Sequence, residues 1–258
     1  MSKKYLLGIV FLSLFPISFV SLAVQEQQYN PVVFNLAQLY DFNPVRGAVK
    51  QIKSVVYNED KSINYESMLK IGHDGCVESF TFDQKKDEYL NGAHNYLFVK
   101  RVKNKLIGRD VSGPVEMVIG DNCQIISKKD SNGELIYQYS KDGIIAGSLL
   151  ADTKKQYSKN DYNEFKLPTT IKYFKDNALI SETIVTYGKD MSKPFDHTMD
   201  IRALGQTILL VNSKCDYNTK NIAYKCNFTL NLNSNGNNIK LLKNSITEVD
   251  FFLNIGDV

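Results

Sequence analysis

Histidine is scarce in this 258-residue chain, tryptophan is absent, and neither sign of charge dominates. The three histidines, His73, His94 and His197, lie far apart. The four cysteines form no C-x₂-C pair, so the zinc frameworks built on that spacing have no ligands. G-x-S-x-G, H-E-x-x-H, the P-loop and the dinucleotide fingerprint are also missing. No cofactor or metal is called for. Without Lys3 and Lys4 of the leader, 29 basic residues stand against 28 acidic ones, and no basic stripe runs along the chain. A phosphate-tracking nucleic-acid surface is thereby excluded as a partner site. Lys100, Arg101, Lys103 and Lys105 are expected to mark one solvated strand edge, since lysine blunts edge pairing.

The residues that are present begin with an apolar leader. Lys3 and Lys4 form a positive start, Leu6 to Leu22 is almost wholly apolar, and Ser21-Leu22-Ala23 sets small residues at a cleavage site. Residues 1–23 therefore read as a signal peptide cut after Ala23, ahead of a secreted β-rich domain at 24–258. The alternative is an inner-membrane anchor through residues 5–24, which would be the chain's only membrane contact; nothing later is long and apolar enough to span as a helix. Export makes a periplasmic, cell-envelope location the expectation. It also turns the even cysteine count into two structural disulfides. Cys215 and Cys226 enclose "DYNTKNIAYK", with turn formers in the middle. In a hairpin they face each other, with Asp216 opposite Lys225 and Tyr217 opposite Tyr224. That leaves Cys76 for Cys123. Loop closure is worth about 3 and about 4 kcal/mol for the two bonds.

Tyrosine and phenylalanine are plentiful, 15 and 14, and suit pleated surfaces. "INYESMLKI" alternates Ile63, Tyr65, Ser67, Leu69 and Ile71 with polar residues, and "YKCNFTLNL" alternates Cys226, Phe228, Leu230 and Leu232 with Lys225, Asn227, Thr229 and Asn231. Period two argues for strands with one buried face. "HDG", "DSNG", "KDG" and "KDN" supply short turns between them. The predicted class is all-β: antiparallel meanders of hairpins with few or no helices. The core face should carry Tyr65, Leu69, Phe80, Phe82, Tyr137, Phe228 and Leu230. The polar stretch 152–164 reads as a connection and permits two halves, about 24–151 and 165–258. At the C-terminus, residues 239–255 fit helix spacing and alternation alike; alternation near Phe251 favours strand.

"YDFNPVRGAVKQIK" at the domain's start, then "GHDGCVESF", "GDNCQI", "SKCDYNTKNIAYKCNFTL" and "LKNSITEVDFF", resemble the YnfC family of bacterial envelope lipoproteins in order and in cysteine placement. The resemblance implies an exported, β-rich envelope protein with no assigned biochemical activity. It carries no catalytic or binding residues to this chain. Its members attach lipid to a cysteine ending the signal, whereas the first cysteine here is Cys76, which argues for a lipid-free form.

The candidate sites are few. Asn43-Pro44 opens a turn, Gly47 allows a tight exit, and Arg46 is placed to pair with Asp41. Tyr40, Phe42 and Arg46 are the candidate ligand-facing patch. The favoured function is a non-enzymatic binding or structural module for an envelope protein or ligand. The alternative is a periplasmic hydrolase built on Ser67 or on His73-Asp74. Ser67-Met68-Leu69-Lys70 matches S-x-x-K, but alternation puts Ser67 and Lys70 on opposite faces, and the motif needs a helical turn. His197 between Asp196 and Asp200 reads as a polar loop, and Asn227-Phe228-Thr229 is a sequon only by pattern.

Overall fold

The computed structural model describes residues 29–87, 92–234 and 237–252. The expected leader, residues 1–23, lies outside them. One helix, α1 (Pro31–Tyr40), precedes sixteen strands. These are β1 (Val49–Asn58), β2 (Ile63–Ile71), β3 (Val77–Gln84), β4 (Asn95–Val102), β5 (Lys105–Asp110), β6 (Gly113–Ile119), β7 (Ile125–Asp130) and β8 (Gly133–Tyr139). Then follow β9 (Ile145–Leu150), β10 (Gln156–Tyr162), β11 (Pro168–Lys175), β12 (Ala178–Tyr187), β13 (His197–Ala203), β14 (Gln206–Tyr217), β15 (Ala223–Ser234) and β16 (Asn237–Phe251). Each strand pairs antiparallel with its sequence neighbours, and β1 pairs with β16, so the sheet closes into a barrel. The all-β class and the hairpin connectivity are as the sequence predicts.

Closure corrects one expectation. The ring leaves no free edge, so Lys100, Arg101, Lys103 and Lys105 do not guard one; they flank the hairpin between β4 and β5. Residues 152–164 are not merely a connection, for they contain β10, which pairs with both β9 and β11. Strands from both sides of that stretch share the one ring. The C-terminal run is strand as far as Phe251.

Alternation sets which side chains face inward. Tyr65, Leu69, Phe80, Phe82, Tyr137 and Leu230 are buried as expected, and Phe228 is half-buried. Ile63 departs from the pattern at 41% exposed, because a bulge between β1 and β2 falls beside it. The register of β14 and β15 puts Cys215 opposite Cys226 and Asp216 opposite Lys225. A bulge then sets Tyr217 against Ala223 instead of Tyr224. The sulfurs of Cys215 and Cys226 are at disulfide distance, with Cα atoms 4.0 Å apart. Those of Cys76 and Cys123 are likewise, with Cα atoms 4.7 Å apart, which links the β2–β3 turn to the β6–β7 turn.

The helix enters the barrel as a plug. Asn30 caps it by accepting from the Val32 N–H at 2.9 Å, and Pro31 at its first position needs no partner for a missing N–H. Val32, Val33, Leu36 and Ala37 share one buried cluster with inward residues of β1 through β9. Gln38 reaches β10, where the Tyr162 hydroxyl donates to its Oε1 at 2.9 Å. A helix that shares one buried cluster with nine successive strands of a ring and is bonded to a tenth stands inside the ring. The chain reverses at Asp41, which takes the left-handed conformation (φ 50°, ψ 43°) and donates its N–H to Ala37. Residues 42–46 run back out: Phe42 packs on Phe80, Asn43 Nδ2 donates to Cys226 Sγ at 3.2 Å, and Arg46 bridges to Tyr29. "YDFNPVRG" is therefore the tip and return leg of a plug.

Candidate functional site

The two ends of the barrel differ. At the plug end, α1 enters among the longer loops at 163–167, 188–196 and 218–222. At the far end, four connections are two-residue turns: 111–112, 131–132, 176–177 and 204–205. The longer connection from β3 to β4 is also at this end, and its Asp87 is buried against Lys243 on the inner wall of β16. The plug packs along β1 to β10 and leaves the inner faces of β11 to β15 only partly covered. Ile171, Met199, Ile201, Leu209, Leu232 and Leu241 point inward by register with buried Val185, Val211 and Leu230, yet each stays half-exposed. Water reaches these apolar side chains from within the ring, so the lumen holds a chamber below the plug tip.

The outer wall carries paired charges. Lys172 faces Glu182 across β11 and β12 at 3.5 Å, and Glu182 faces Arg202 on β13. Arg202 also holds Asp200 at 2.6 Å. Lys53 stands opposite Glu248 where the barrel closes, and Glu116 stands opposite Lys129. Lys172, Asp200 and Glu116 alternate with inward apolar residues, whereas Glu182 lies between Ser181 and Thr183 and Lys129 between Lys128 and Asp130. Membrane barrels carry an apolar band outside and a polar interior; here charge pairs stand among exposed Phe98, Ile107 and Leu242 on the outer wall, and the inner wall of β13 to β15 is mostly apolar.

The plug tip projects toward the chamber. Tyr40 stacks on Phe80 and Phe82, with centroids 4.7 and 5.8 Å away. The Tyr65 hydroxyl donates to the Tyr40 carbonyl at 2.6 Å. Burial first, then Tyr137, Asp110 and Asp130, pushes the Tyr40 hydroxyl far up and keeps it protonated. Asp41 retains solvent-exposed surface, yet the protein surrounds it closely enough that burial raises its carboxyl pKa. A carboxylate standing in a wet lumen satisfies both observations. Its charge reaches Tyr65 on β2 and Tyr173 on β11, strands on nearly opposite sides of the ring. Burial, then Asp41, pushes Tyr173 up to about 12. Tyr157, in a bulge of β10, meets Tyr173 edge-on at 6.0 Å.

The other lumenal carboxylates are neutralised locally. Asp87 lies against Lys243 Nζ at 2.5 Å, and Asn64 joins them. Burial alone would raise the Asp110 pKa, but Ser112, the Gly113 N–H and Lys128 hold it below the usual range. Asp130 pairs with Lys128 at 3.0 Å.

The structure separates the sequence candidates. Tyr40 and Phe42 sit at the plug tip. Arg46 is at the other end, 4.7 Å over the Tyr29 ring rather than against Asp41. It lines a separate cavity of about 380 Å³ with Tyr29, Phe34, Phe165 and Met191. Ser67 is 3% exposed and faces Ser54 and Phe82 across the inner wall, while Lys70 points outward. His73 stacks on Phe252 at 4.4 Å, and Asp74 pairs with Arg101, so neither reaches Ser67. His197 packs by Tyr187; burial lowers its pKa, and its Nδ1 lies 3.3 Å from the Pro194 carbonyl. Asp200 is turned to Arg202. Among the described residues no group of three metal-ligating side chains forms. Sequence reasoning missed Asp41 as a site residue by assigning it to Arg46. The missed signal was Asn30-Pro31 ahead of "VVFNLAQLY", a helix start whose far end must place Asp41 at a cap.

No curated protein matches the chain. Among solved structures, a porin-like protein from Bacteroides uniformis is similar over 79% of this chain and 98% of that one, at 12% identity and a TM-score of 0.52. At that identity the likeness is one of fold. The MucA/MucB complex of Pseudomonas aeruginosa aligns over 78% of this chain and 88% of that one at 11% identity, but its TM-score of 0.15 supports no argument. The sequence model of an uncharacterised protein family, UPF0257, matches residues 4–252, plug and barrel strands together, and the chain belongs to that family.

Proposed function

We propose that this is an exported cell-envelope protein that holds one apolar-chain ligand in its lumen and performs no chemistry on it. The observation that carries the reading is the inner wall of β13 to β15, where Met199, Ile201, Leu209 and Leu232 are apolar and only partly buried. A closed barrel with an apolar interior is a container for apolar matter, as in small ligand-binding barrels. The porin-like neighbour shares the ring, but in this chain a helix occupies the lumen, and paired charges such as Lys172 and Glu182 stand on the outer wall. Export is supported by the leader with its small-residue exit and by two cysteine pairs at disulfide distance. With no cysteine before Cys76, the favoured form is periplasmic and free of lipid. The hydrolase alternative loses support, since Ser67 is enclosed without a base beside it.

A neutral fluorescent probe, N-phenyl-1-naphthylamine, tests the reading. Saturable enhancement at one probe per chain is expected, and Leu209→Lys on the inner wall should weaken it. No enhancement, or enhancement unaffected by that change, would contradict the lumenal site.

A further inference from the structure

We propose that the chamber is selective for a cationic amphipath, with its ammonium group seated at Asp41 on the plug tip and its chain along the apolar inner wall of β13 to β15. This inference rests on the lumenal binding read above and names the chemical class that the site prefers.

The first argument is the carboxylate itself. Among the described residues, Asp41 has no side-chain hydrogen bond and no ion pair. Asp87, Asp110 and Asp130 each have a lysine or N–H groups close by. Among the described residues the lumen thus carries one uncompensated negative charge, at the plug tip, which attracts a cation and repels an anion.

The second argument is position. Asp41 caps the C-terminal end of α1, where the helix dipole already presents partial negative charge. An acidic residue there is disfavoured, and so is a non-glycine residue in the left-handed region. The surrounding protein penalises the charge further. Asparagine would meet the same turn geometry without the charge. A bound cation removes the electrostatic penalties, because both the dipole and the carboxylate attract it.

The third argument is the aromatic surround. Tyr173 is exposed on the inner face of β11 with Tyr157 edge-on to it at 6.0 Å, while Tyr40 and Tyr65 pack against Phe80 and Phe82. Tyrosine faces attract ammonium groups, most strongly where water is partly excluded. Burial pushes the Tyr173 hydroxyl up to about 12, so this exposed ring is a neutral π surface. Ile201, Leu209 and Leu232 lie side by side in register on β13, β14 and β15, with Met199, Val211 and Leu230 in the next row, and together offer the chain an apolar surface.

Calorimetric titration with decyltrimethylammonium and decyl maltoside, both below their micelle concentrations, tests the proposal. The chain length is shared, so only the head differs. The cationic probe should bind one per chain and about tenfold more tightly than the neutral one. Asp41→Asn should abolish that preference, with its far-ultraviolet circular dichroism matching the natural protein to show that the variant is folded. Equal binding of the two probes to the natural protein, or a preference that survives Asp41→Asn, would overturn the inference while leaving the lumenal reading intact. Binding of neither probe would overturn both.

Discussion

Replacing Asn35 by leucine would test whether the plug is fastened to the wall. Asn35 is 5% exposed on α1. Its Nδ2 donates to the Gly143 carbonyl at 2.8 Å, and its Oδ1 accepts from the Ile145 N–H at 3.0 Å. These bonds join α1 to the β8–β9 turn across 108 and 110 residues. Leucine has similar volume but leaves both backbone groups orphaned. Each orphan costs about 1–3 kcal/mol, and the added apolar burial returns about 1–2, for a net loss of about 1–4 kcal/mol. In a domain of this size each kcal/mol moves Tm by about 2–4 °C, so a fall of about 2–16 °C is expected. Urea unfolding followed by circular dichroism gives the free energy directly. A loss below about 0.5 kcal/mol would refute the idea that these two bonds hold the plug.

Three further outcomes follow from the same geometry. Gly108→Ala should cost more than about 3 kcal/mol, because a Cβ there would run into the Phe98 carbonyl and come within 2.8 Å of Val99 Cα; a loss under about 1 kcal/mol in urea would contradict that packing. Removing the Cys215–Cys226 pair by double alanine substitution should cost about 2–4 kcal/mol, and an unchanged urea midpoint would deny the pair a structural role. Asp41→Asn should raise Tm at pH 7: burial lifts the native carboxyl pKa above its unfolded value, so the native state binds the proton more tightly and gains stability as pH falls through that window. The two proteins should converge in stability below about pH 3.5, near the unfolded carboxylate pKa, and a destabilised variant at pH 7 would contradict the sign.

The strands were legible because each has one buried face: alternation in "INYESMLKI" and "YKCNFTLNL" is what an inner and an outer wall impose. The Cys215–Cys226 register was legible because a short hairpin fixes its own pairing. Barrel closure was not, since Val55 opposite Ile246 is a long-range match that no local pattern encodes. The bulges at Tyr217 and Tyr157 were hidden too, because one extra residue leaves composition unchanged. The polarity of "DTKKQYSKNDYNE" masked β10, whose outward Lys159 and Asp161 meet water. Helix α1 was missed because "VVFNLAQLY" is apolar nearly all round, as a helix enclosed by a barrel must be, and so it lacks the amphipathic stripe of a surface helix. Tyr40 and Phe42 stood out by residue type. Asp41, between them, gains its meaning only from the depth at which the plug places it.

The absence of tryptophan makes the most direct test of the apolar inner wall clean. Tyr173→Trp places a sole indole on the inner face of β11, and Lys172→Trp places it one residue away on the outer face. Each variant is titrated with a neutral monoacylglycerol whose chain carries two bromines, and then mixed with vesicles of dibrominated phospholipid. An apolar lumen inside a water-facing wall predicts that the monoacylglycerol quenches the inner indole of Tyr173→Trp saturably, at one per chain. It also predicts that the vesicles leave the outer indole of Lys172→Trp unquenched. Quenching of the outer indole by vesicle lipid, with the inner indole unaffected by the monoacylglycerol, would contradict the account and mark a barrel that faces lipid from outside.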